Sequence, residues 1–527
     1  MTDLDSATRN SYDVVPYESL PFAQSHPNRL ATIATLLGLT PTPLEGCRVL
    51  ELGCASGGNL LPMAEMYPGS QFVGVDASGG QIADGQRTLD AVGAPNLRLL
   101  HRNILDVDDQ LGSFDYILTH GVYSWVPPAV QEKILEICAR QLTPQGVAYV
   151  SYNTYPGWRM RGLVRDLMCY RARGFASPED KIREALALLE FLAQSVPPEQ
   201  DAYGLVLKDE LKRLRSNNAS YVLHEYLEDE NRPAYFHEFM EQAQRQGLQY
   251  LGEADFNSMS IGNFPPPVEA GLRQLAADIV QLEQVMDFVR NRRFRQTLLC
   301  HQQVVLDRSL PAERVFGLYV ASASEPQGGP IDVGTRDSVT FRAPASTLTT
   351  DEPWLKAALV HLRQVWPGRV AFRELLKAAQ RRLDPQGSET PCSAREERAL
   401  GAALLSCYAA RHVDLSVQPT PCALQVPERP RAPRLARQQV STGSDVTNLW
   451  HAAVTVSGLA RHLLRYLDGN SDRAALTELL YQDERRGQLV VHDQDHPVPD
   501  DQGIRQILDE ALEESLSELA RLGLLLK

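Results

Sequence analysis

Hydrophobic and polar positions follow two rhythms along the first part of the chain. Short apolar runs bounded by turn residues, "RVLELG", "QFVGVDAS", "LRLLHRNI", "FDYILTHG" and "GVAYVSYN", predict buried strands. Between them, "NLLPMAEMYP", "GGQIADGQRTLDAVG" and "PAVQEKILEICARQL" carry apolar residues every three and four positions, as helices do. Strand then helix, repeated from residue 48, predicts an α/β fold: a parallel sheet wound with right-handed crossovers.

After residue 153 the rhythm changes. In "ASPEDKIREALALLEFLAQSVPP", Ser177 and Asp180 are placed to cap a helix whose apolar stripe runs through Ile182, Leu186, Leu189 and Phe191, and residues 156–220 read as a helical insertion. A further helix ending at Gly247 and a strand over 248–256 are expected to complete the sheet, closing the first domain at 263. The expected organisation is an N-terminal arm and helix over 1–47, the core over 48–263, a helical connector over 264–338, and winged-helix-like, helix-rich domains over 339–417 and 446–527. Two stretches rich in Pro, Gly and polar residues, "SEPQGGPIDVGTRDS" and "QPTPCALQVPERPRAPRLARQQVSTGSD", read as linkers.

Composition narrows the function. A formal charge of -14 over 527 residues disfavours a broad polyanion-binding surface, so no nucleic-acid partner is expected. The eight cysteines form no C-x-x-C pair and no zinc-finger spacing, and no metal site is expected. The stretch "MTDLDSATRNSYDVVPYE" lacks a signal-peptide core, and nothing reaches about 18 uninterrupted apolar residues, so a cytoplasmic protein without membrane insertion is expected.

The chemistry concentrates in "RVLELGCASGGNL", residues 48–60. A strand that stops abruptly at glycines lets a ligand approach backbone. Gly53, Gly57 and Gly58 do not have the G-x-G-x-x-G spacing of a pyrophosphate-binding turn, and the Glu51 carboxylate is better suited to an amine than to a phosphate. Asp76, closing the second strand, is placed to accept from both hydroxyls of a ribose. An amine, a ribose and a base without phosphate describe S-adenosylmethionine, with S-adenosylhomocysteine as the product.

With "ELGCASGG" as the first motif, residues 48–153 resemble a class I methyltransferase core of Rossmann-like fold. The stretches "YDVVPYESLPFAQSHP", "HGVYSWVP", "NTYPGW", "HEYLEDENRPAYFHEF" and "DFVRNRRFRQTLLCH" extend the resemblance to methyltransferases carrying a methyltransferase regulatory domain, which include bacterial protein-lysine methyltransferases acting on outer-membrane proteins. The resemblance implies a cofactor site of Glu51, Gly53, Cys54, Ala55, Gly57, Gly58, Asp76, Ala77, Asn103, Ile104 and His120, covered by an arm bearing Tyr12 and Tyr17. Ala55 stands where a third glycine is usual, and Asn103 where many such enzymes place Asp against the adenine amino group.

The expected acceptor is a protein lysine. Its amine, with an ordinary pKa near 10.4, must lose water and a proton before it can attack, and aromatic walls serve both needs. Tyr123, Trp125, Tyr155 and Tyr226 are the expected channel, with His120 or Glu225 relaying the proton, while the insertion and tail domains recognise the acceptor or make a homodimer. The rival readings are a small-molecule methyltransferase and a non-catalytic, cofactor-responsive DNA-binding regulator, for which Arg429, Arg431, Arg434 and Arg437 are the basic residues.

Overall fold

The computed structural model describes residues 15–199, 201–329, 331–344, 346–386, 392–493, 496–497 and 501–527. Its centre is a seven-stranded sheet of β1 (Arg48–Leu52), β2 (Gln71–Asp76), β3 (Leu97–His101), β4 (Phe114–Thr119), β5 (Leu142–Asn153), β6 (Leu248–Glu253) and β7 (Phe294–His301), in the order β3-β2-β1-β4-β5-β7-β6. β1 lies between β2 and β4, with Glu51 opposite Gly74 on one side and Leu118 on the other. Val49, Leu50 and Leu52 have no exposed surface, which explains why β1 reads as a continuous apolar run.

The sheet does not close at 263. β7 lies antiparallel between β5 and β6, pairing Ala148 with Leu299 and Tyr250 with Leu299, so the expected boundary cuts the sheet before its last strand. What pins β7 is a buried ion network. Arg295 donates to Asp287 Oδ2 at 2.7 Å, Glu253 Oε1 at 2.6 Å and Glu283 Oε2 at 3.0 Å, tying β7 to β6 and to the helix Ile279–Arg290.

The helical insertion runs past 220. Helices Trp158–Ala172, Pro178–Ser195, Ala202–Arg215 and Ala219–Val222 are followed by a π-helical turn, Leu223–Leu227, and Tyr226 of that turn packs in the same small core as Val164, Met168, Leu189 and Leu207. Ser177 caps its helix by accepting from the Asp180 amide at 3.1 Å. Phe191, expected on the apolar stripe, is instead 65% exposed.

Two further corrections concern the tail. Strand Tyr319–Ala321 pairs with Val370–Ala371 and Asp414–Ser416, so the unit with helices Pro353–Val365, Phe372–Leu383 and Ala394–Ala409 starts before 339, inside the expected connector. The second expected linker contains a helix, Arg434–Thr442, whose Leu435 is packed in the main core and whose Ala436 and Val440 are packed in the C-terminal core; the Leu435 amide donates to Glu65 at 3.0 Å. That C-terminal unit adds the hairpin of Asp445–Thr447 and Ala453–Thr455 and the helices Gly458–Leu464, Arg473–Arg485 and Asp501–Arg521. One face of the sheet shares a continuous core with the helix Pro27–Leu36 and the 319–416 unit; the other packs on Pro128–Gln141 and Phe236–Arg245.

Candidate functional site

The carboxyl ends of β1, β2 and β4 open into a cavity of about 720 Å³, the place where α/β sheets bind ligands. The loop after β1 is held against β2 by the Gly53 and Cys54 amides, which donate to Val75 O at 2.8 and 3.1 Å. Gly53 has φ +75°, and a Cβ there would lie 2.3 Å from Val122 Cγ2, so the turn excludes a side chain. Ala55 takes the left-handed region with φ 49°, at a cost of roughly 1 kcal/mol, offset by its amide donating to Asp76 Oδ2 at 2.8 Å. Gly57 and Gly58 do not line the cavity. Gly58 instead seats the N-terminal arm: its amide donates to Ser19 Oγ at 2.8 Å, and a Cβ would meet Ser19 O at 2.2 Å.

Glu51 is buried at the floor of this cavity. Its Oε1 accepts from Asn59 Nδ2 at 2.8 Å, while Oε2 is buried without a hydrogen-bond partner among the described residues. Burial, with the Asp76 charge adding, pushes its carboxyl up to about 8 despite the Asn59 bond. A cation beside Oε2 would restore the carboxylate. Asp76 accepts from the Ser78 amide with Oδ1 and from Ala55 with Oδ2, both at 2.8 Å, and lines the cavity at the end of β2. Cys54, Ala77, Asn103 and Ile104 line the same end. The Asn103 carbonyl, expected to face an adenine amino group, caps a turn by accepting from the Leu105 amide at 3.0 Å.

The arm crosses above this end. Tyr12 lies outside the described residues, but Tyr17 lines the cavity, its hydroxyl pushed up to about 12 by burial and the nearby Glu225. Gln81 Nε2 donates to Tyr17 O at 3.1 Å, Val15 O lies 2.7 Å from His224 Nε2, and the Phe22 amide donates to Asn59 Oδ1 at 2.9 Å. The Phe22 ring sits 3.9 Å from that of His120. His120 lines the cavity with Nδ1 2.8 Å from Tyr149 Oη; burial lowers its pKa to about 4 and keeps it neutral.

Another part of the lining is aromatic and charged: Trp125, Trp158, Tyr221, Arg161 and Glu225, with the Trp125 and Trp158 rings edge to face at 6.2 Å. Burial raises the Glu225 carboxyl, and Arg161 at 3.6 Å opposes that rise. Asn153, also in the wall, has a buried Nδ2 without a partner among the described residues.

Three expected channel residues are not in the wall. Tyr123 is 1% exposed and faces the core, its hydroxyl donating to Gln242 at 2.7 Å and its ring edge-on to Phe239. Tyr123 and Trp125 share one tight turn, Tyr123–Trp125, in which residues two apart point about 120° away from each other. Tyr226 is fully buried in the insertion, donating to Glu210, while its neighbours His224 and Glu225 turn to the cavity. Tyr155 lies against Tyr235 under the Arg159 guanidinium, 4.3 Å above its ring. Trp158, Tyr221, Gln81 and Phe22 were not singled out from sequence; only the "PGW" turn pointed towards one of them.

Among the described residues there is no group of three or more His, Cys, Asp or Glu able to hold a metal ion, and no helix long and apolar enough to cross a membrane.

Comparison with known proteins follows this geometry. The methyltransferase domain family matches residues 49–146, the predicted methyltransferase regulatory domain 218–301, and the C-terminal winged helix domain of PKMT 428–524. The regulatory-domain match thus includes β6 and β7 of the central sheet. Protein RP789 of Rickettsia prowazekii is 35% identical over 511 residues, 95% of this chain and 91% of that one. PKMT2 of Rickettsia typhi superposes with a TM-score of 0.83 at 31% identity, covering 97% of this chain and 100% of that one. Its complex with AdoHcy has the same TM-score of 0.83 at 32% identity.

Proposed function

The chain belongs to the PKMT family of S-adenosylmethionine-dependent protein-lysine methyltransferases, and from that premise we propose how its cavity methylates a lysine side chain. The observation that carries the reading is one cavity lined by two chemically distinct sets of residues: the buried Glu51 carboxylate with that of Asp76, and Trp125, Trp158, Tyr221 and Glu225.

S-adenosylmethionine supplies a methyl group on a sulfonium centre. Glu51 Oε2 would hold the ammonium of the cofactor, which accounts for a buried carboxylate oxygen with no partner among the described residues. Asp76 would accept from the ribose hydroxyls, and Ala77, Ile104 and Asn103, which line the same cavity, would flank the base. The bound product's amine fits the same donor-free Glu51 oxygen.

Along the aromatic lining the acceptor lysine must be neutral. Trp125, Trp158 and Tyr221 strip water from its ammonium, which lowers its pKa, while their ring faces keep the approach of a cation favourable. Glu225 takes the proton at its carboxylate, since its burial raises its basicity, while Arg161 opposes that rise and favours the ionised form. Neutral His120 lines the cavity with its ring 3.9 Å from that of Phe22. Catalysis is then mostly positioning and desolvation.

The insertion exposes Met160, Leu163, Tyr170, Phe191 and Leu205, apolar surface of the kind a homodimer covers. Light scattering should report two chains per particle.

Incubation with methyl-labelled cofactor and a cell lysate tests the function. The reading requires label in macromolecules and only with the active protein; label confined to small compounds would refute it.

A further inference from the structure

A residue of the C-terminal unit reaches the floor of the cofactor end. His451 lies in the turn of the hairpin formed by Asp445–Thr447 and Ala453–Thr455, and its Nε2 is 2.8 Å from Asn59 Oδ1. Asn59 is the residue whose Nδ2 donates to Glu51. Both histidine and asparagine are buried, at 4% and 3% exposure.

The bonds around Asn59 leave one orientation. Its Oδ1 accepts from the Phe22 amide at 2.9 Å, and its Nδ2 donates to Glu51 Oε1 at 2.8 Å and to Ser25 Oγ at 3.1 Å. A carbonyl oxygen has no hydrogen, so His451 must donate from Nε2. Reversing the amide would set an N–H against the Phe22 N–H and another against His451, and turn the oxygen towards the Glu51 carboxylate.

The turn that carries His451 is built to present it. Asn448 Oδ1 accepts from the Trp450 and Ala452 amides, each at 3.0 Å, and the His451 backbone takes the left-handed region with φ 59°. Trp450 is clamped from outside by Arg369 of the 319–416 unit, whose guanidinium lies 5.0 Å from its ring centre. Inside, the His451 ring meets His26 edge-on at 4.8 Å. Holding a non-glycine residue at positive φ is strained, and the surrounding turn must sustain that strain.

We propose that His451 is a positioning residue for the cofactor site: its Nε2–H fixes the Asn59 amide so that Asn59 presents Glu51, with one oxygen held and the other open, to the cofactor's amine. The C-terminal winged-helix unit thereby braces, from behind Asn59, a site whose walls come from the arm, the core and the insertion. The inference rests on the reading that Glu51 receives that amine.

Calorimetry of AdoHcy binding to the full chain tests it, with E51Q, H451M and H451Q compared to the natural protein. Methionine fills the space without donating; glutamine supplies an N–H near the position of Nε2. H451M should weaken AdoHcy about tenfold, the cost of one lost buried hydrogen bond, with the acceptor KM unchanged, and H451Q should recover most of the loss. In an N59A background H451M should add nothing, because the two act through one bond. AdoHcy affinity within twofold of the natural protein in H451M, or an equal loss in H451Q, overturns the proposal. If E51Q also binds like the natural protein, the Glu51 reading itself fails; if only E51Q loses affinity, the His451 inference alone fails. Should H451M not fold, nitrogen NMR of histidine-labelled natural protein decides: the His451 signal, assigned by its absence in H451Q, must show the Nε2–H tautomer and move on AdoHcy addition. A signal unmoved at saturation overturns the proposal.

Discussion

Asn59 holds one carboxylate oxygen of Glu51 at 2.8 Å and leaves the other buried towards the cavity. In the cofactor-free protein the Glu51 pKa is about 8, above the ordinary 4.5, so at pH 7 it is mostly protonated. Binding an ammonium must expel that proton. AdoHcy binding at pH 7 should therefore release close to one proton, measured by calorimetry in buffers of different ionisation enthalpy, and E51Q should abolish the release. The same shift has a stability sign: a folded pKa raised from 4.5 to about 8 means that stability is lost as pH rises through that window. Cofactor-free E51Q should melt above the natural protein at pH 8, and the gap should close towards pH 4.

Tyr123 and Trp125 give opposite expectations. Tyr123→Phe removes one hydrogen bond to Gln242 and should cost about 1 kcal/mol of stability, with activity within about twofold. Trp125→Ala opens the acceptor wall and should lower kcat/KM for the acceptor about tenfold with AdoHcy affinity unchanged. Steady-state kinetics with calorimetry separates them; equal effects from both would contradict the assignment of one to the core and the other to the wall.

Glu225 must be ionised to take a proton, and burial raises its pKa, so kcat/KM should fall on the acid side as Glu225 protonates. Glu225→Gln should reduce kcat by about a hundredfold and erase that acid limb in a pH–rate profile. A variant that keeps the limb would move the proton acceptor elsewhere.

Arg295 supports the site from β7, between β5 and β6. It is bonded to Glu253, Glu283 and Asp287 and is fully buried, so Arg295→Met removes the partner these three buried carboxyl groups share and leaves Arg292 paired to Glu253 and Asp287. Urea unfolding should show a loss of about 3–5 kcal/mol.

Strand ends made part of the site legible in the sequence. Glu51 and Asp76 close apolar runs that can only be strands, and a residue at the carboxyl end of a parallel strand faces the ligand side whatever its loop does. Facing within short turns was not legible: Tyr123 against Trp125, and Tyr226 against Glu225, depend on a rotation per residue that no hydrophobic period records. β7 was hidden because its partners are over a hundred residues away for β5 and its apolar run adjoins a helical stretch. The Arg434–Thr442 helix was masked by Pro and Arg around it, and its burial comes from tertiary contacts with Glu65 and the C-terminal core. His451 carried no local signal at all; its role is set by a fold of the chain that brings it 2.8 Å from Asn59.

Amino-acid analysis of a protein acceptor after reaction with methyl-labelled cofactor tests the account most directly. The natural protein should place the label in N-methylated lysine, and E51Q should place almost none there at the same cofactor concentration. Label recovered in any other residue, or undiminished lysine methylation by E51Q, would contradict it.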